Sequence, residues 1–537
     1  MKQLWIGAAI VGMTLVNFFQ FPGHTWLQQD SQIYAPILEH MWDPAVLQND
    51  LVARHPHVAF TLYDETAVAL RRVTGLDFKH ALEAEQFLTR ALGIWGAYLI
   101  AMALGLSDLP ALLAASVFAL DAFIVGPSVL VFEYEPTPRA FAVPLLFLAM
   151  GLMARERFLG AAIAASLAFV MHPPTAVPFW IVYLVLAVWP PERRKLAALW
   201  VPVVAALVLF AASRAQASSG QAQRLFSRID AHQEQLQRVR ASYNWVSTWW
   251  RQYLVHYLIL YAATAIASWR LWKSTPRALR FFFVGLPLIG MVSVPVSYVL
   301  LERMHWTLIP EFQPTRALLF VTAFALLLGA ACACQAVARK RYLEAIAWLA
   351  LALLPPTNTE IAWPSWNRVG VVITLALITA PAIRIMQAGS RWARVGALAV
   401  ILAPIFLIPT WGKVTNYPAL HTPELEQLAA WARASTPRDG VYLFADAGQD
   451  LAPGIFRAEA LRAIFVDWKS GGQVNFFKDL GEEWWWRWQQ TLAQPFDPNN
   501  LMQYRALAIN YIVVRPKDRL PNVKPVFENG SYLVYKM

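Results

Sequence analysis

Asp30 stands about ten residues beyond the first apolar run, in the stretch HTWLQQDSQIYAPILEHMW. A carboxylate so placed could take the proton of an attacking hydroxyl or amide. It could equally serve only to cap a helix over SQIYAPILEHMW, where a side-chain oxygen satisfies an orphan N–H group. A second acidic group follows in FEYEPTPR, where Glu133 and Glu135 are two residues apart. In an extended segment such residues share a face, so both carboxylates could converge on one polar substrate or on a divalent ion such as Mg2+ or Mn2+. An ordinary polar turn would carry the same letters. Arg139 closes that motif, Arg316 closes EFQPTR with Gln313 and Glu311, and His172 lies in MHPPT. The planar fork of arginine suits two phosphate oxygens, and a histidine can donate to phosphate or act as an acid. Flanking basic residues and an interfacial histidine are the plainer readings of the same positions.

These residues need elements to hold them, and the composition says which kind. Of 537 residues 58% are hydrophobic and 15% charged, against about 25% charged in a soluble domain of ordinary composition. This is the composition of a polytopic membrane protein. The net charge of +11 sits in short basic clusters between apolar runs, which is a topology signal rather than a nucleic-acid stripe. Cys332 and Cys334 share one apolar run with no further metal-ligating neighbour, so they read as small buried residues.

Thirteen apolar stretches meet the span requirement when tilt and shortening are allowed. They are Leu4–Phe19, Phe87–Leu104, Leu109–Leu130, Ala140–Ala154, Phe158–Met171, Ala176–Trp189 and Leu196–Ala212. Leu254–Trp269, Phe281–Leu301, Ala317–Val337, Leu343–Leu354, Val369–Ile385 and Val395–Thr410 complete the set. With Lys2 inside, the clusters at Arg155/Arg157, Arg193–Lys195, Arg270–Arg280, Arg339–Arg341 and Arg384–Arg394 all fall on the cytoplasmic side. The outer side then receives nearly all the unusual polar chemistry. The first outer loop, 21–85, carries Asp30, Tyr34, Asp43, Asp50, His55, His57, Tyr63, Asp64 and Glu65, and a loop of that length tends to be functional. The segment 213–253 reads as a helix lying along the interface, ended by an aromatic anchor of Trp245, Trp249 and Trp250.

Residues 1–412 thus form a transmembrane domain and 413–537 a soluble extracytoplasmic α/β domain. The latter is expected to hold a helix over Pro423–Ser435, strands in VYLFA, AIFVDWK and NYIVVRP, and a helix near Phe456–Arg462. A Trp-rich helix around Glu482–Gln490 and a closing hairpin turning at Asn529–Gly530 complete it. Anchoring at an interface is the expected role of WWWRW.

An acidic residue after the first span, a second acidic motif in the next outer loop, many spans and an outer C-terminal domain resemble the GT-C superfamily of polyprenyl-phosphate-sugar-dependent glycosyltransferases. The tail, with R-x-x-F-V-D-W-K and a Y-I-V-V strand, is similar to those of uncharacterised bacterial GT-C-like membrane proteins. The resemblance implies a membrane glycosyltransferase acting on the outer face. Its donor would be a polyprenyl-phosphate-linked sugar and its acceptor a lipid, glycan or protein. It matches Asp30 to the first-loop acid, as catalytic base, and Glu133 and Glu135 to the second-loop acids. Arg139, His172, Gln313 and Arg316 would then bind substrate. The first-loop acid of that family is often paired, whereas Gln28 and Gln29 precede a single Asp30 here, and the absence of a WWDYG-type motif argues against an oligosaccharyltransferase. The bacterial inner membrane is the expected location. Two rivals stand beside this reading, a transporter or flippase for a lipid-linked precursor and a non-catalytic envelope assembly protein. The first would scatter polar residues at mid-span depth, and the second would tolerate changes at Asp30 and Glu133.

Overall fold

A computed structural model describes residues 2–55, 60–189, 192–216, 226–358, 361–411, 417 and 419–537. His57, part of the 213–253 segment and the expected domain boundary at 412/413 lie outside the described residues. Among the described residues five helices are long and apolar enough to cross a membrane: Arg193–Gln216, Arg251–Leu271, Arg277–Arg303, Leu308–Ala338 and Trp366–Ala388. Lys2–Phe19, Pro138–Met153, Phe158–Met171, Pro173–Val188 and Tyr342–Thr357 are shorter apolar helices. The protein is an integral membrane protein.

Every expected span contains a helix, with one truncation. Leu109–Leu130 is helical only over Asp108–Ala119, and a small antiparallel hairpin follows, β1 (Phe123–Ile124) with β2 (Val129–Leu130). Asp121 adopts a left-handed φ of 66° and Gly126 one of 81°, so the apolar letters of this stretch belong to a buried turn that ends the helix.

The helix Leu318–Ala338 is the axis of the bundle, with its apolar window wholly buried. Cys332 and Cys334 lie on it as free, buried thiols. Phe78–Ala103 packs tightly on Pro138–Met153. A Cβ built on Gly96 would stand 2.4 Å from the backbone of Phe147, so only glycine allows this approach. Arg270 and Arg341 both reach Glu344, at 3.0 and 3.4 Å, which brings two of the basic clusters to one end of the bundle.

At the other end a five-stranded sheet is built from β3 (Val441–Phe444), β4 (Ala463–Ile464), β5 (Tyr511–Val514), β6 (Phe527–Glu528) and β7 (Leu533–Lys536) in the order β4-β3-β5-β7-β6. The β3 pairings with β4 and β5 are parallel and the rest antiparallel. The helices Pro423–Ser435, Ala452–Ala460 and Lys478–Thr491 accompany it. Two details differ from the sequence reading. AIFVDWK is a strand only at Ala463–Ile464, because Lys469–Asn475 turns into a 3-10 segment. The tryptophans of WWWRW do not serve as a surface anchor together, since Trp484 and Trp488 are buried with Val466 and Leu480 in the core beneath the sheet. Likewise Trp245 is fully buried under the guanidinium of Arg238, 3.9 Å from its ring centroid. Of the expected aromatic anchor, Trp250 is the exposed member. The helix that precedes them is short, Ala231–Arg240, and is capped by Asp230.

Candidate active site

The first loop is a folded element clasped between the bundle and the sheet. Its helix Ser31–Trp42 lies against Ala452–Ala460 so closely that a Cβ on Gly454 would meet Gln32 Oε1. Beneath that contact Arg457 is fully buried; it donates to Asp467 Oδ1 at 3.1 Å, to Ser470 Oγ at 2.7 Å and to the Gln32 carbonyl at 2.9 Å. Asp50, also fully buried, accepts from the amides of Val52, Ala53 and Ile464. A charge removed from water persists only when it is paired and bonded in this way. On the bundle side, Arg90 donates to Asn17 Oδ1 and to the carbonyls of Gly23 and Glu133. One side chain thus ties the first helix, the first loop and the second loop together.

Glu135 performs the finest part of this fixing. Its Oε1 accepts from the amides of Gln28 and Gln29 and from Ser31 Oγ at 2.6 to 2.8 Å, and its Oε2 accepts from the Ser31 amide at 3.1 Å. The carboxylate therefore nests inside the turn that presents Asp30. Glu133 points elsewhere, accepting from Arg139 Nε at 2.9 Å. The two acids of FEYEPTPR do not converge on a common point. Among the described residues no group of three or more His, Cys, Asp and Glu side chains comes together. Arg139 takes Glu133 Oε1, and the turn amides and Ser31 Oγ take both oxygens of Glu135.

Asp30 occupies the N-cap position of its helix, yet its side chain makes no capping bond. It turns instead to Lys469, whose Nζ donates to Oδ1 at 2.7 Å, while Arg139 Nη2 lies 3.7 Å from Oδ2. Burial pushes its pKa up, but the adjacent Lys469 and Arg139 outweigh burial and hold it well below the ordinary carboxylate range. Asp30 keeps 38% side-chain exposure, all the more notable beside the 8% of Lys469 and Arg139. That exposure opens into a cavity of 1110 Å³.

The cavity joins every candidate residue. Asp30, Glu133, Glu135, Arg139, His172, Gln313 and Arg316 all line it, although they come from four separate stretches of chain. His172 caps the helix Pro173–Val188 by accepting the Thr175 amide on Nδ1 at 3.3 Å. In the neutral ring the proton then belongs on Nε2. Burial lowers its pKa well below the usual value, and Arg139 and Arg316 lower it further. Gln313 Oε1 and Arg316 Nε are buried atoms without a hydrogen-bond partner. Such atoms at a cavity wall are ready to meet a ligand. Apolar side chains of helices and their ends also line it, among them Phe169, Met171, Val177, Leu209, Leu308 and Phe312.

No family model matches the chain, and no curated protein matches it. Solved structures similar to it include ArnT from Cupriavidus metallidurans in the apo state, at 13% identity over 99% of this chain and 98% of that one, with a TM-score of 0.48. The same protein bound to undecaprenyl phosphate gives 13% identity, the same coverage and a TM-score of 0.44. The arabinofuranosyltransferase AftD from mycobacteria gives 16% identity over 96% of this chain, which spans 35% of that one, with a TM-score of 0.44.

Sequence reasoning missed the contribution of the C-terminal segment. Lys469, Trp468 and Gln473 line the cavity, as do Arg240, the last residue of the helix Ala231–Arg240, and Tyr243 just after it. Arg240 holds the 3-10 segment in place by donating to the carbonyls of Trp468 at 2.7 Å and Lys469 at 3.4 Å. One signal was present. The pair Gly471–Gly472 is out of place in a strand, and a Cβ on Gly471 would overlap the Trp484 ring at 2.4 Å.

Proposed function

We propose that the chain is a GT-C-like membrane glycosyltransferase that moves a sugar from a polyprenyl-phosphate-linked donor to a lipid, glycan or protein acceptor. The observation that carries this reading is the joining, in one cavity, of an ionised Asp30, the guanidinium groups of Arg139 and Arg316, and apolar side chains of helices and their ends. An amphiphile with an anionic head and a hydrocarbon tail has this complementarity. The tail would lie against Phe169, Val177, Leu209 and Phe312, with the phosphate toward Arg316 and Arg139 and the His172 Nε2–H beside them.

In the reaction, the acceptor oxygen or nitrogen attacks the anomeric carbon, the bond from that carbon to the phosphate oxygen breaks, and the acceptor proton passes to Asp30. Charge appearing on the departing phosphate is met by arginines already in place, which is where fixed charges lower a barrier most. Lys469 holds Oδ1 at 2.7 Å, so the acceptor proton goes to Oδ2, which lies 3.7 Å from Arg139 Nη2. Glu135 holds the turn and Glu133 holds Arg139; both act through a neighbour.

The reading carries thirteen spans, a cytoplasmic N-terminus, residues 413–537 as an extracytoplasmic domain and the bacterial inner membrane as location. The basic clusters gathered at the end opposite the cavity support that orientation. Transfer of labelled sugar from polyprenyl-phosphate donors in membranes bearing wild type, Asp30→Asn or Glu133→Gln tests it. At normal expression, loss of transfer is expected in Asp30→Asn, and transfer that falls only at limiting donor in Glu133→Gln. Absence of wild-type transfer with every hexosyl and pentosyl donor tried would overturn the reading.

A further inference from the structure

Resting on that donor reading, we infer that Tyr34 is a further catalytic residue, whose phenolic O–H donates to the phosphate oxygen that departs from the sugar. Tyr34 lies one turn beyond Asp30 on the helix Ser31–Trp42, and its amide donates to the Asp30 carbonyl at 3.4 Å. Residues four apart share a helix face, and both residues line the same cavity. The ring is fixed by what lies behind it. It meets Tyr63 edge-on with centroids 5.2 Å apart, and Tyr63 in turn stacks on Phe141 at 5.9 Å. Tyr63 is fully buried and donates its own hydroxyl to the Pro136 carbonyl at 2.7 Å. Phe141 and Arg139 belong to one helix, Pro138–Met153. The stack that backs the Tyr34 ring thus rests on the helix that carries the Arg139 guanidinium.

The Tyr34 hydroxyl makes no hydrogen bond among the described residues, although Asp30, Arg139, Arg316 and Asp64 all act on it. Burial raises its pKa, the Asp30 charge raises it further, and Arg139 and Arg316 oppose them without cancelling them. The phenol therefore keeps its proton at physiological pH and enters the site as a neutral donor. With no protein acceptor and two arginines assigned to phosphate beside it, its O–H is left to a ligand oxygen, and those of the phosphate carry the charge. The other phenols at this cavity are placed differently. Tyr243 Oη accepts from Asn475 Nδ2 at 3.4 Å, and the charges that act most on Tyr134 are those of Glu135 and Glu133. As the bond from the anomeric carbon breaks, its electron pair stays on the phosphate oxygen and the acceptor proton goes to Asp30. Tyr34 keeps its own proton and tightens its hydrogen bond as that charge grows. A donor that strengthens in the transition state raises kcat more than affinity.

The test uses the full-length protein in proteoliposomes as wild type, as Tyr34→Phe, and with trifluorotyrosine in place of Tyr34. Binding is followed with bare polyprenyl phosphate, and transfer with a panel of polyprenyl-phosphate hexoses and pentoses. Tyr34→Phe should bind the bare lipid as wild type does and keep its KM, while kcat falls about 10²–10³-fold, the cost of one lost donor to a developing charge. The fluorinated phenol is more acidic and close in shape. Its transfer should fall away in an alkaline range where wild type still works, because a phenolate no longer donates and repels phosphate. Wild-type kcat in Tyr34→Phe, a loss confined to KM, or an unmoved alkaline limb in the fluorinated protein overturns the inference while leaving the donor reading intact. Where Tyr34→Phe folds poorly, the alkaline limb decides, since the fluorinated ring keeps its packing. Failure of wild type to bind the bare lipid, or to transfer from any member of the panel, overturns the donor reading and the inference with it.

Discussion

Lys469 Nζ donates to Asp30 Oδ1 at 2.7 Å, joining residues 439 positions apart in the chain. Through this contact the C-terminal segment completes a site that the first loop begins. The lysine does two things for the carboxylate: it fixes the rotamer and it keeps the proton off.

The electrostatic part is separable from the structural one. Asp30 is ionised throughout the range where the protein would work, because Lys469 and Arg139 overcome the opposing effect of burial. Its folded pKa is depressed, so its charge and the pairing energy are present above the ordinary value of about 3.9 and are lost only as pH falls below it. Lys469→Met should raise the Asp30 pKa and bring an acid limb into the pH–rate profile at higher pH than in wild type. Lys469→Arg should restore the wild-type profile. Uniform loss at all pH values would show that the lysine is only structural.

His172 gives a second pH statement. Its pKa lies well below the usual 6.5 because burial and then the arginines disfavour the imidazolium, so the ring is neutral at physiological pH and donates from Nε2. Sugar transfer should therefore show no histidine limb between about pH 6 and 8. A wild-type limb in that interval that disappears in His172→Gln would contradict this assignment.

Glu135 and Glu133 should differ in their signatures. Removing Glu135 by Glu135→Ala leaves the amides of Gln28, Gln29 and Ser31 without their acceptor, each buried group costing about 1–3 kcal/mol if unpaired. A lower unfolding temperature and a fall in kcat are expected, with donor binding little changed. Glu133→Gln weakens the grip on Arg139 and should instead raise the KM for donor. Equal behaviour of the two variants in thermal denaturation and kinetics would refute this division.

Arg457→Met leaves Asp50 and Asp467 buried with their cation gone, a change that costs about 3–5 kcal/mol when one partner of a buried pair is removed. The loss should appear as early proteolysis at the first loop and the C-terminal helices together, since Arg457 bonds both. Wild-type protease resistance in this variant would show that the two elements are held by other contacts.

Much of this architecture was legible in the chain. Apolar length located helices at the expected stretches, and Pro423–Ser435 is a helix as its amphipathic pattern requires. The spacing of Asp30, Glu133, Arg139, His172 and Arg316 after or before apolar runs placed them at one end of the bundle, which is why they share a cavity. What stayed hidden depended on contacts between distant residues. No local pattern says that Glu135 turns inward to a loop turn while Glu133 turns to Arg139. Nor does AIFVDWK reveal that Lys469 leaves the strand, since propensity sees β-branched and aromatic letters and not the tight approach of Gly471 to Trp484. The tryptophans of Glu482–Gln490 were misjudged for the same reason. An aromatic run fits an interface or a core equally well until the sheet that covers it is known.

The proposed reaction turns on Asp30 acting as the base. Transfer of labelled sugar by purified protein in proteoliposomes, with donor binding followed in parallel, tests it most directly. Asp30→Asn keeps the shape and removes the charge. Transfer should fall about 10²–10⁴-fold, the usual contribution of a positioned base, with polyprenyl-phosphate binding retained. Transfer at the wild-type rate in Asp30→Asn would contradict it.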